Sequence, residues 1–72
     1  MPPALKVIAP REVEEGDVII AIDGEPTTHM RVIHKTQHYQ SAEFECRAHY
    51  NGRRLSARAG ALQTITVVRE EP

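Results

Sequence analysis

Four histidines, one cysteine and a cluster of carboxylates are the side chains of this sequence that could do chemistry. His34 and His38 are four apart, which puts two imidazoles on one side of a helix but separates them by ~13 Å along a strand rising ~3.3 Å per residue. A closed zinc site needs four converging nitrogen or sulfur ligands. Adding His29, His49 and Cys46 does not assemble one, because strand alternation sends His49 and Cys46 to opposite faces. Nucleophilic catalysis by Cys46 would need a neighbouring base and a third, orienting group. Its expected place facing a core makes it a small buried hydrophobe instead. Glu14, Glu15 and Asp17 precede a strand in a turn, with no apolar pocket in view to raise a carboxyl pKa, and read as a solvated acidic loop. The four glycines are scattered singly, so no phosphate-cradling loop is present. The chain is therefore read as non-catalytic, with no metal, no cofactor and no small-molecule substrate.

Arginine is what the sequence concentrates. The net charge of −1 hides a division. Residues 1–25 sum to −4, residues 26–63 sum to +4 and carry all four histidines, and the tail adds −1. Such asymmetry is an argument about partners rather than about fold. The two segments could face each other and cancel, or the basic one could meet something else. Arg outnumbers Lys seven to two, which suits bidentate recognition of carboxylate or phosphate. The candidate partner-binding surface is Arg47, His49, Arg54 and Arg58, with Arg53 at a turn and Tyr50 beside it. Three uses fit it: a solvated strand face, a protein interface, or a phosphate-binding face with Tyr50 stacking on a base. Against nucleic acid stand the overall charge, a pI near 6.4, and Glu43 and Glu45 on the same face. Histidines joining the surface would raise its charge between pH 7 and pH 6.

Length limits what can support such a surface. A chain of 72 residues is one domain at most, and it buries only ~60% of the surface its unfolded form exposes. Cys46 is the sole cysteine, so no internal disulfide forms. No basic start leads into an apolar run, and no apolar stretch is long enough to span a bilayer. A cytoplasmic protein with no membrane partner is expected.

Short β-branched runs broken by Gly, Pro, Asn and Asp predict several short strands. Residues 1–12 read as an arm or short strand, with Leu5 to Ala9 stopped by Pro10. Val18 to Ile22 is a nearly continuous apolar run, as expected of a strand covered on both faces, and Asp23-Gly24-Glu25-Pro26 ends it. Met30 to Gln37 follows, its inward side undecided between Val32 and Ile33, and His38 to Ser41 turns. Asn51-Gly52 predicts a two-residue type I′ hairpin. Counting outward from it pairs Tyr50 with Arg53, His49 with Arg54, Cys46 with Ala57 and Glu45 with Arg58. Phe44, Cys46, Ala48, Leu55 and Ala57 then share one face, and Glu43, Glu45, Arg47, His49, Arg54, Ser56 and Arg58 the other. Ala59-Gly60-Ala61-Leu62 predicts a 3₁₀ turn, Thr64 to Arg69 a half-buried strand, and residues 70–72 a frayed tail.

Gly16-Asp17-Val18 leading the apolar strand, the Asn51-Gly52 hairpin and Ala59-Gly60-Ala61-Leu62 before the last strand together resemble an SH3-like small barrel over Val13 to Arg69. Glu15-Gly16-Asp17-Val18 through Asp23-Gly24 also resembles the opening of a KOW module, with Thr27-Thr28-His29 where the later glycine of such a loop usually stands. The chain is further similar to small accessory proteins of bacteria and phages. These resemblances imply an all-β, five-stranded SH3-like barrel over residues 13–69. Its expected work is that of a binding module for a protein partner or a second copy of itself, through the arginine face or an exposed edge strand. The alternative is a nucleic-acid-binding or transcription-associated accessory protein using the same arginines.

Overall fold

The computed structural model describes residues 3–70. Six strands, β1 (Pro3–Ile8), β2 (Val18–Ile22), β3 (Glu25–Gln37), β4 (Ser41–Ala48), β5 (Arg54–Gly60) and β6 (Ile65–Glu70), form one antiparallel sheet in the order β1-β6-β2-β3-β4-β5. The chain is all-β, and no helix among the described residues is long and apolar enough to cross a membrane. Of the two readings of residues 1–12 the short strand holds: Pro3–Ile8 pairs with β6 and joins the five strands expected after it, making six among the described residues. The expected barrel needs correction. The sheet is open rather than closed: the turn after β5 carries β6 across to lie between β1 and β2, leaving β1 and β5 as the two edges. Of the expected frayed tail, Glu70 ends β6, and residues 71–72 lie outside the described residues.

The apolar runs bury one concave face. Phe44, Ile19, Ile65, Val13, Val32 and Val67 are its largest enclosed side chains. Val18 and Ile19, adjacent in sequence, are both buried on opposite faces of β2, as the continuous apolar run implied. Ile20 bulges between Ile19 and Ala21 against β6, an extra residue that sharpens the local twist. On β3, Val32 points inward, and Ile33 forms a bulge against β4 that leaves it partly exposed. That extra residue is why simple alternation could not choose between the two.

The two-residue hairpin exists, but at Asp23-Gly24. Asp23 (φ 53°) and Gly24 (φ 80°) supply the two left-handed residues that a type I′ turn requires, and Ile22 pairs with Glu25 directly across it. The chain thus turns straight into β3, which starts five residues ahead of the expected Met30.

The Asn51-Gly52 segment is built differently. β4 and β5 do pair antiparallel, but with Arg47 opposite Arg54, Cys46 opposite Leu55, Phe44 opposite Ala57 and Glu43 opposite Arg58. Only Gly52 is left-handed there (φ 69°). The Gly52 N–H donates to the Ala48 carbonyl (2.8 Å) and the Ala48 N–H to the Arg53 carbonyl (2.9 Å), closing a four-residue loop, His49–Gly52. The expected pairings of Tyr50 with Arg53 and Glu45 with Arg58 are therefore replaced. The displacement is two residues, an even number, so each side chain keeps its face. Phe44, Cys46 and Ala48 are buried and Leu55 and Ala57 half-buried, while Glu43, Glu45, Arg47, Arg54, Ser56 and Arg58 are exposed.

The 3₁₀ turn also lies elsewhere. It is Pro10–Glu12, whereas β5 continues through Gly60 into a turn closed by the Gln63 N–H on the Gly60 carbonyl (3.0 Å).

Candidate functional site

Register on the convex face aligns one row of side chains across the whole sheet. Leu5 on β1 lies opposite Val68 on β6, Val68 opposite Val18 on β2, and Val18 opposite Arg31 on β3. Arg31 lies opposite Arg47 on β4, and Arg47 opposite Arg54 on β5. The row is thus apolar over three strands and cationic over three. Neighbouring strands are ~4.8 Å apart, so the three arginines fall within ~10 Å of backbone. Like charges directly opposite each other oppose strand pairing.

Among the described residues, Arg31, Arg47, Arg53 and Arg54 make no ion pair with a carboxylate. Arg47 Nη1 donates to the Gly52 carbonyl (3.0 Å), which holds the guanidinium over the β4–β5 loop. Arg31 Nη2 lies 3.5 Å from His49 Nε2, and the His49 N–H donates to the His29 carbonyl (2.8 Å), so the loop leans back onto β3.

Of the expected surface, the structure brings together Arg47 and Arg54, with His49 beside Arg31 and with Arg53 and Tyr50 on the adjoining loop. Tyr50 is 88% exposed. Arg58 stands apart: four residues along β5, ~13 Å away, its Nε is 4.0 Å from Glu43 Oε1, which His38 Nε2 also meets at 3.2 Å. Arg31 was not among the expected site residues. It joins them because β3 pairs with β4, a long-range fact that local patterning does not carry.

Among the described residues, the acidic segment makes no ion pair with the arginine row. Glu15 Oε2 lies 3.5 Å from His34 Nδ1, and Glu14 Oε2 lies 3.1 Å from Arg69 Nη1. Asp17, expected in a solvated loop, is buried instead. Burial raises its carboxyl pKa, but hydrogen bonds from Arg69 and from the Glu14 N–H, with the charges of Arg69 and Lys6, outweigh that and hold it below its ordinary value.

Among the described residues no three His, Cys, Asp or Glu side chains group as metal ligands would. Cys46 is fully buried, and its thiol is pushed up to about 11, first by burial and then by the Glu45 charge. An activated thiolate needs the opposite shift. Comparison with protein-family models, with curated proteins and with solved structures gives no match.

Proposed function

We propose that this protein is a non-catalytic binding module that takes an acidic protein partner on the convex face of β3, β4 and β5. One observation carries the reading: Arg31, Arg47 and Arg54 stand in register on adjacent strands with no carboxylate partner among the described residues. Like charges placed directly opposite on adjacent strands destabilise the pairing. A partner's carboxylates would relieve that repulsion. A protein is favoured over a nucleic acid because the cationic row runs on into Val18, Val68 and Leu5, and because Glu43 and Glu45 share the face. Arg is also a residue in which interface energy concentrates.

Nucleic acid binding is the second reading, favoured by exposed Tyr50 next to Arg53 at the end of the row, where a base could stack. Titration against an acidic polypeptide, polyglutamate, and against single- and double-stranded DNA and RNA, each at two salt concentrations, decides between them. Binding to polyglutamate that the triple change Arg31→Glu, Arg47→Glu and Arg54→Glu abolishes supports the first reading. Tighter binding to nucleic acid, falling steeply and log-linearly with salt, replaces it with the second.

A further inference from the structure

We infer that the free edge of β5 accepts an extended acidic strand, so that the partner is recognised by joining the sheet rather than by resting on its face. The inference depends on the arginine face being the binding surface, and adds to it how the partner is held and what sequence pattern it carries.

Two hydrogen bonds establish which way the β5 backbone points. The Ala48 N–H donates to the Arg53 carbonyl, and the Ala61 N–H to the Gln40 carbonyl (2.9 Å). In an antiparallel ladder, residues alternate between those bonded to the neighbour and those directed away from it. Arg53, Leu55, Ala57, Ala59 and Ala61 therefore turn toward β4, and Arg54, Ser56 and Arg58 turn their N–H and C=O groups to the open edge. A side chain caps this edge at one end, where Gln63 Oε1 takes the outward N–H of Gly60 (2.9 Å). From Arg54 to Arg58 the edge is open.

Charge selects the occupant. The residues that offer main-chain groups are also those whose side chains lie on the convex face, so an incoming strand meets guanidinium groups at Arg54 and Arg58, flanking Ser56. A second copy of β5 fits less well, since antiparallel pairing about Ser56 puts Arg54 opposite Arg58 of the other chain, a like-charge contact that opposes pairing. A strand with carboxylates four positions apart fits, placing one opposite each arginine and extending the row Arg31, Arg47, Arg54 by a counter-charge. Near Arg58 that carboxylate shares the guanidinium with Glu43. Its second and fourth side chains fall beside Leu55 and Ala57, both half-buried at the edge of the core, and are apolar. Main-chain bonds supply affinity and alternate side chains supply specificity, as in other cases of strand addition.

The probe is a synthetic peptide with glutamate at its first and fifth positions, valine at the second and fourth and threonine in the centre, followed by backbone amide shifts during NMR titration. Shifts should concentrate on Arg54, Ser56 and Arg58. Methylating the central amide nitrogen, which faces Ser56, should weaken binding at least about tenfold, whereas methylating a valine nitrogen should change it less than about twofold. Ser56→Pro removes only an outward N–H, a change that edge strands tolerate, and should cause a similar loss. The methylated peptides test the same bond on unaltered protein should that variant not fold. Equal binding by both methylated peptides overturns strand addition and leaves the acidic-partner reading standing. No binding at millimolar peptide, or binding indifferent to Arg54→Glu with Arg58→Glu, overturns strand addition, and absence of polyglutamate binding as well overturns both.

Discussion

Arg69 Nε donates to Asp17 Oδ1 at 2.8 Å while Arg69 Nη2 donates to Asp17 Oδ2 at 2.7 Å, a two-pronged bond between residues 52 apart that ties the last strand to the loop entering β2. The same carboxylate accepts the Glu14 N–H (2.9 Å), and Arg69 Nη2 reaches the Glu12 carbonyl (3.2 Å). Asp17→Asn keeps the shape but removes the charge, and should cost about 2–3 kcal/mol in urea unfolding at pH 7. A loss under ~0.5 kcal/mol would show the clamp to be incidental.

Acid should undo the same clamp. The Asp17 carboxyl lies below its ordinary value of 3.8 in the folded state, so the unfolded chain takes up the proton first as pH drops. The stabilisation is complete above that ordinary value and is lost as pH falls through the folded one. Urea midpoints of wild type and Asp17→Asn, measured from pH 7 down to pH 2, should converge at the acid end. Parallel curves would contradict the assignment.

Phe44 is 1% exposed at the centre of the core. Phe44→Ala removes about 3–5 kcal/mol. A chain of this length has a total of roughly 4–11 kcal/mol at ~0.05–0.15 kcal/mol per residue. The variant should therefore lose cooperative thermal unfolding or melt far below wild type, as read by circular dichroism.

The turn at Asp23-Gly24 should be the more sensitive of the two loops with a turn-forming dipeptide. Gly24→Ala forces a side chain onto φ 80° and should cost about 1 kcal/mol or more, while Asp23→Asn, equally tolerant of positive φ, should stay within ~0.5 kcal/mol. Asn51→Ala loses only one exposed bond to the Arg53 N–H and should cost less than Gly24→Ala. Denaturant midpoints of the three variants give the order directly.

If the arginine row is kept for binding, its removal should help the fold. Arg47→Glu turns two like-charge pairs, with Arg31 and with Arg54, into opposite-charge ones and forfeits a single exposed bond to Gly52. Stability should stay level or rise by up to ~1 kcal/mol while polyglutamate binding drops. A variant that is both less stable and unchanged in binding would assign the row to structure.

The sequence by itself determined the all-β class, β2 at Val18–Ile22 and the division of residues 43–58 between a buried and a wet face. Each of these rests on local information: β-branched runs, breakers, and a period of two that an even register shift leaves intact. It also put Arg47 and Arg54 on the outward face, although it placed Arg54 opposite His49 rather than opposite Arg47. Tertiary structure alone decided which residues stand opposite one another. Asn51-Gly52 became part of a four-residue loop because Gly52 bonds back to Ala48 and His49 is drawn onto His29, whereas Asp23-Gly24 took the tight turn. The bulge at Ile33 reset the inward parity of β3, and it cannot be seen until β4 is laid beside it. Arg31 entered the row through that same pairing, and Asp17 left the solvent through Arg69, far along the chain. Strand partners are chosen by what the whole sheet can bury, and that sum is not written in any one segment.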